Sequence, residues 1–198
     1  MGKVRNTGKL QTDVCSLAVD EAKIAHLHWT SEEAVNSNGA GLVSALPVDG
    51  DKAIEITDFA AEMPCARTIR IVVTSTTAES VKAVSVIVEG RNIAGESIKE
   101  TLPALSSAGT AYSKSAFSVV EKIIIPAVGT AATINIGWTG VFGLPFALAN
   151  NAFSFSVHNG KVDTTELNLL YDENNISRNT FSISSELNGT PLDLFIVL

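Results

Sequence analysis

The chain has 198 residues, 45% apolar and 18% charged, with a formal net charge of −7 at pH 7. Such a chain can bury a core of its own without a metal, a cofactor or a disulfide, and one domain is expected. The charge disfavours a nucleic-acid partner, which needs clustered Lys and Arg, and no apolar run reaches the roughly 20 residues of a membrane span.

The first residues form the only basic run in this acidic chain. Lys3, Arg5 and Lys9 precede the first acid, Asp13, and no secretory signal pattern is present. One interpretation is a frayed, solvated terminus. The other is a basic arm that docks on an acidic neighbour. We therefore divide the chain into an N-terminal arm, residues 1–13, and a β-domain, residues 14–198.

The two cysteines, Cys15 and Cys65, could form a disulfide. Reduced thiols are the favoured interpretation, because a protein made in a cytoplasm seldom keeps a disulfide. Between the cysteines, residues 18–25 fit a short helix or an irregular strand equally well.

Two histidines stand two residues apart, His26 and His28, just before Trp29. On a strand these imidazoles share a face and could reach one metal ion. The sequence shows no third ligand, because His158, the only other histidine, lies far along the chain. The preferred interpretation is a polar strand face beside a buried or interfacial Trp29, and no metal site is predicted.

Turn residues dominate the stretch before the central strands. Residues 42–47 fit an edge strand closed by Pro47. Asp-Gly-Asp at 49–51 lacks the further oxygen ligands of a calcium loop, so it predicts a tight turn into a strand at 53–56. Phe59 and Met63 are expected to close one end of the sandwich or barrel.

Residues 68–145 carry the clearest strand signal. Apolar and polar residues alternate, β-branched residues are frequent, and Gly, Pro and Asn separate the segments. This pattern predicts a meander of half-buried strands. The predicted strands are residues 68–74, 82–89, 96–102, 119–125 and 132–136, the last two ending at Pro126 and Gly137.

A glycine-rich corner follows, with large apolar residues at Trp138, Phe142, Leu144 and Phe146. In one interpretation they fill the core where a strand crosses. In the other they form an exposed or subunit-facing patch, since Trp and Phe anchors dominate interfaces. We predict that some of them face a symmetry mate in a homo-oligomer, with a trimer favoured.

The last quarter of the chain continues the strand pattern. Strands are predicted at 153–157, 180–184 and 192–198, and Asn159-Gly160 is a strong hairpin signal. Short strands with regular turns predict an all-β single domain, a β-sandwich of jelly-roll-like or barrel-like meander form. No Gly-x-Ser-x-Gly elbow, phosphate loop or paired catalytic carboxylates stand out, so no catalytic or cofactor-binding residues and no enzyme are predicted.

Four short motifs follow one another in the middle of the chain. They are Val-Ile-Val-Glu-Gly-Arg-Asn-Ile-Ala-Gly-Glu at 86–96, Glu-Thr-Leu-Pro at 100–103, Ser-Ala-Phe at 115–117 and Ile-Ile-Ile-Pro at 123–126. In this order and spacing the chain resembles the small capsid-associated, or head decoration, proteins of tailed bacteriophages. Gly-Leu-Pro at 143–145 and Leu-Asn-Gly at 187–189 extend the resemblance over residues 60–198.

The resemblance implies a non-enzymatic virion structural protein that binds the major capsid protein and stabilises the outside of the head. Such a protein is synthesised in the host cytoplasm, assembles in many copies and needs no metal or cofactor. The basic arm would then help it to dock on the capsid. Two alternatives stay open, namely a tail or head–tail connector component and a carbohydrate-binding β-sandwich used in adhesion.

Overall fold

The computed structural model describes residues 24–76, 81–82, 84–105, 109–148, 154–163 and 167–197. Within them the chain forms β-strands and one short 3-10 helix, Ile176–Arg178. The strands are β1 (Ile24–Trp29), β2 (Asn38–Val48), β3 (Ile54–Ile56), β4 (Arg67–Thr74), β5 (Ile87–Arg91), β6 (Ser97–Thr101), β7 (Gly109–Phe117), β8 (Val119–Ile125), β9 (Ala132–Gly143), β10 (Ser154–His158), β11 (Lys161–Val162), β12 (Leu167–Leu170), β13 (Thr180–Ile183) and β14 (Leu192–Val197). The predicted all-β, sandwich-like fold is confirmed.

The described strands form three antiparallel sheets. Sheet A has the order β1-β14-β10-β11, and sheet C has the order β3-β8-β5-β6. Sheet B has the order β12-β13-β9-β4-β7, with β2 also paired to β9. Among the described residues, no helix has the length and apolarity needed to cross a membrane.

The 12-residue strand β9 connects two hydrophobic cores. Its first part pairs with β2 and β4 and contributes Ile134 and Ile136 to a core shared with sheet C. Its end pairs with β13 and contributes Phe142 to a second core shared with sheet A. The strand β9 therefore contributes side chains to both hydrophobic cores. The alternation predicted for β4 is confirmed, since Ile69, Ile71 and Val73 are all buried.

The strand predicted to end at Gly137 continues to Gly143, so that boundary is wrong. Gly137 lies inside β9, at a point where the backbone of β2 comes very close to it. A Cβ atom added there would lie 1.8 Å from the backbone oxygen of Asn38 on β2. Absence of a side chain is what allows β2 to pack against β9 at this point.

Two further boundaries differ from the prediction. The strand expected at 82–89 begins at Ile87, and Val84 forms only an isolated bridge with Leu105. β2 runs through Pro47 to Val48 rather than ending at the proline. Among the described strands β2 pairs only with β9, so the missing backbone N–H of Pro47 is tolerated there.

The glycine-rich corner lies in the core. Trp138, Phe142 and Leu144 are 8%, 0% and 0% exposed, and Phe146 is half-buried against the second core. The Trp138 indole also donates a hydrogen bond to the carbonyl of Asn36. Trp138, Phe142 and Leu144 are covered by their own chain, which corrects the expectation of a subunit-facing patch for these three residues. The core-filling interpretation explains them without a symmetry mate.

Several predictions concern residues outside the described ranges. They include the basic arm with Lys3, Arg5 and Lys9, the boundary at residue 13, and Cys15. Of the 18–25 segment, Ile24 and Ala25 belong to β1. Cys65 is a free, half-buried thiol.

Candidate functional site

Sheet A buries one face and exposes the other. Leu192, Leu194 and Ile196 of β14 are completely buried toward sheet B. On β10 the predicted alternation is present, but Ser156 is buried and Phe155 is 37% exposed. The register explains this orientation, because Ser156 lies opposite Leu194 and Phe155 lies opposite Phe195. The aromatic residues of this strand pair therefore face outward.

An aromatic row crosses three strands of this outward face. The rings of Phe155 and Phe195 are stacked with centroids 4.8 Å apart, and those of Phe195 and His26 are stacked at 4.4 Å. The interplanar angles are 11° and 5°. Because the rings stack on one another across the strands, much of their faces is covered by neighbours.

A polar group lies beside that row. One carboxylate oxygen of Asp193, Oδ1, is 2.8 Å from His26 Nε2 and 2.8 Å from His28 Nδ1. A neutral imidazole must carry its proton on the contacting nitrogen to make this bond, so the contacts assign a tautomer to each ring. Partial burial alone would raise the pKa of Asp193, but the two histidine hydrogen bonds and charges outweigh it and lower the pKa.

The sequence did not reveal this partner, because Asp193 is 165 positions from His28. The preferred interpretation of a polar strand face next to a buried Trp29 is confirmed. Within the ranges that the structure describes, no group of three or more His, Cys, Asp or Glu side chains is arranged to hold a metal ion.

Aliphatic side chains complete this surface. Ile24 on β1 is 45% exposed, and Val162 on β11, opposite Val157 on β10, is 61% exposed. We call the whole set the outer face of sheet A. It consists of Ile24, His26, His28, Phe155, Val157, Val162, Asp193 and Phe195.

The outward face of sheet C has the opposite character. Lys122 on β8 lies 3.2 Å from a carboxylate oxygen of Glu89 on β5 and 3.6 Å from one of Glu55 on β3. Glu89 also pairs at 2.8 Å with Lys99 on β6. Hydrogen bonds from Lys99 and Lys122 lower the pKa of Glu89. A row of charges of alternating sign is typical of a solvated face.

A groove runs along the edge of β1 that faces away from β14. It encloses about 290 Å³ and is lined by Leu27, His28, Trp29, Glu33, Cys65, Ala66, Ile93 and Pro145. Consecutive strand residues point to opposite faces. A cavity that touches three consecutive residues of β1 therefore reaches beyond one face of the strand, and none of its lining residues belongs to β14. We call it the β1 groove.

The Cys65 thiol in this groove is poorly suited to nucleophilic chemistry. Burial raises its pKa, although a hydrogen bond with Arg67 and the charge of Arg67 oppose the shift. The thiol donates a 3.7 Å hydrogen bond to the Glu33 carbonyl. A protonated, partly buried thiol is a weak nucleophile at neutral pH.

A buried arginine holds the far side of the groove in place. Arg67 is completely buried and donates hydrogen bonds to the carbonyls of Glu33 and Thr139. The Glu33 turn is also fixed locally, because its carboxylate accepts bonds from the backbone N–H and hydroxyl of Thr30. This reciprocal Thr-x-x-Glu arrangement stabilises the start of a helical turn.

The sequence-predicted site residues do not coincide with this surface. Lys3, Arg5 and Lys9 lie outside the described residues, and the corner around Trp138 is core. The sequence feature that could have indicated the outer face of sheet A was the alternation of residues in β1, β10 and β14. Alternation identifies two faces of a strand, but it does not say which one is covered.

Comparisons with protein-family models, with curated proteins and with solved structures give no match to the chain. The resemblance to phage head proteins therefore rests on the sequence motifs alone.

Proposed function

We propose that the protein is a non-enzymatic structural component of a bacteriophage virion, a decoration protein that binds the major capsid protein on the outside of the head. The virion location comes from the sequence motifs. The observation that carries the binding role is the outer face of sheet A, a rigid sheet surface with exposed aliphatic and aromatic side chains.

The contrast between the two outward sheet faces supports a docking role. The charged row on sheet C gains little from leaving water, because exposed ion pairs are already well solvated. On the outer face of sheet A, each Å² of apolar surface covered by a partner contributes about 25 cal/mol. Several large apolar side chains exposed on one sheet face favour an interaction surface.

Ring geometry favours a protein partner over a carbohydrate. A sugar stacks on an exposed ring face, and the ring of Phe195 is stacked on both sides, by Phe155 and by His26. Only the edge of the Phe195 ring is left for contact with a partner. An apolar protein surface can pack against ring edges and neighbouring valines, whereas a planar sugar-binding platform is not formed by this row.

The proposal places the protein on the capsid exterior after its synthesis in the host cytoplasm. Its net charge of −7 fits an outer surface better than the DNA-facing interior. The basic arm with Lys3, Arg5 and Lys9 would add electrostatic contacts to an acidic neighbour.

The proposal is tested on particles of the phage whose genome encodes this chain. Heads and tails are separated, and the copies of this protein on each are counted by quantitative mass spectrometry. A capsid decoration protein is expected on heads, in far more copies than a connector component. Recovery in few copies with tails or the connector would favour that alternative, and absence from all particles would contradict the virion role.

A second experiment tests stabilisation of the head. Particles made without the protein should release DNA at a lower temperature or under milder osmotic shock than complete particles. Adding back the purified protein should restore the resistance. Unchanged resistance in both preparations would contradict a stabilising role.

A further inference from the structure

We propose that two copies of this chain associate through their β1 edges, antiparallel and across a two-fold axis, so that the two A sheets join into one continuous sheet. This inference concerns the purified protein and does not depend on a capsid partner.

β1 is a regular edge strand of sheet A. Its six residues pair with β14 without a register shift. Residues Ile24–Trp29 include no Pro, Gly, Lys, Arg, Asp or Glu. In an antiparallel strand every second residue directs its N–H and C=O away from the paired neighbour. None of the described residues makes a backbone hydrogen bond to that outer side.

The other edges of the described strands carry features that block strand addition. β2 has two register shifts and contains Pro47. β6 carries Lys99 and Glu100, and the Glu100 carboxylate accepts bonds of 2.7 and 2.8 Å from the backbone N–H groups of Lys114 and Ser115 on β7. β3, β11 and β12 have only three, two and four residues. β7, the remaining edge of sheet B, has nine residues, but it contains Lys114 and has a register shift against β4, and Glu100 already binds the N–H groups of its Lys114 and Ser115. Among the described strands, β1 is the long edge without such a feature.

The β1 groove borders this strand and leaves apolar side chains beside it uncovered. Ile93, which is 38% exposed, and the exposed Pro145 border the groove beside Leu27 and Trp29. A strand added to β1 would cover both. The added strand would also supply partners for the outward N–H and C=O groups, the driving force of β-augmentation.

The β1 strand of a second copy can pair with the outward N–H and C=O groups of β1, because an antiparallel strand is self-complementary about a two-fold axis. Each residue of one β1 opposes a residue of the other, and the same pair recurs on the other side of the axis. Two acidic chains can approach here because β1 carries no acid and Asp193 is shared by His26 and His28. Pairing would extend the outer face of sheet A across both copies.

Sedimentation of the full chain over a concentration series tests the association. We expect a reversible dimer in the parent. The His26→Lys/His28→Lys variant places like charges on opposing strands across the axis and should weaken the dimer roughly tenfold. Val162→Lys adds one lysine to the other edge of the same sheet and should leave dimerisation unchanged. Circular dichroism and Tm must show that each variant is folded.

Amide hydrogen exchange locates the contact. At low concentration, alternate amides of residues 24–29 should exchange quickly, and they should become protected as the protein associates. A monomeric parent at 100 μM, or a dimer unaffected by the double lysine variant, would overturn the proposal. Full protection of these amides in the monomer would also overturn it, because the chain's own N-terminal residues would then occupy the edge.

Discussion

The guanidinium carbon of Arg67 lies 4.4 Å from the centroid of the Phe142 ring, with the cation over the ring face. Both side chains are completely buried. The Phe142 ring in turn stacks on Phe181, with ring centroids 5.0 Å apart, and its centroid lies 5.3 Å from that of the Trp29 ring. A buried cation is normally paired with an acid, but Arg67 is held by two carbonyls and an aromatic face instead.

This relationship predicts a large effect of removing the arginine. Arg67→Ala would leave a cavity, remove the donor to the Thr139 carbonyl and leave the Glu33 carbonyl with the Cys65 thiol alone. It should lower the free energy of unfolding by about 3–5 kcal/mol. Urea denaturation measures the loss. Arg91→Ala, which removes an exposed ion pair with Glu121, is the matched control and should leave the midpoint unchanged. Equal stability of the two variants would contradict a structural role for Arg67.

Two glycines of β9 should respond differently to the same substitution. Gly137→Ala would place a Cβ 1.8 Å from the Asn38 oxygen, so β2 must move, at a cost of at least about 2 kcal/mol. For Gly140→Ala the nearest atom is 3.6 Å away, Cδ1 of Leu187, and the change should stay within about 0.5 kcal/mol. Thermal denaturation of both variants tests this, and similar melting temperatures would argue against the close approach of β2.

The histidine contacts of Asp193 predict a pH dependence of stability. The pKa of Asp193 is depressed, so the folded state binds its proton less readily than the unfolded chain. The stabilisation is therefore present above the ordinary value of 3.8 and is lost as pH falls through the lower folded-state pKa. In urea denaturation, Asp193→Asn should be less stable than the parent at pH 6, and the difference should shrink in strong acid. A difference that is independent of pH would be inconsistent with this assignment.

The basic arm gives a prediction about salt. Deleting residues 2–12 removes Lys3, Arg5 and Lys9, and should reduce capsid occupancy most at low ionic strength. Screening weakens such contacts over a Debye length of about 10 Å at 0.1 M salt. Occupancy is measured by co-sedimentation with capsids over a salt titration. Identical curves for the parent and the deletion variant would leave the arm without a docking role.

Local sequence patterns identified much of this fold. β4, β8 and the β10–β11 hairpin follow from alternation, β-branched residues and Asn-Gly, and the hairpin has Asn159 and Gly160 at φ 53° and 71°. The large apolar residues around Phe142 were also recognisable in the sequence, but the pattern left open whether they fill the core or form an exposed or subunit-facing patch. Only the tertiary packing of β1 and β13 against β9 decides between them.

The outer face of sheet A could not be predicted in the same way. It depends on three strands from distant parts of the chain, which bring His26, Phe155 and Phe195 into one row. Gly137 shows the same limitation, because its role as a contact point is set by Asn38 on β2. Non-local register, rather than local propensity, determines these features.

If the outer face of sheet A is the docking surface, substitutions on it should weaken binding of the purified protein to capsids that lack it. Val162→Lys on that face and Val119→Lys on sheet C change valines that are 61% and 49% exposed in the free protein. Val162→Lys should weaken capsid binding about tenfold by placing a charge in an apolar contact, whereas Val119→Lys should bind like the parent. Equal binding by both variants, or loss only with Val119→Lys, would contradict the claim.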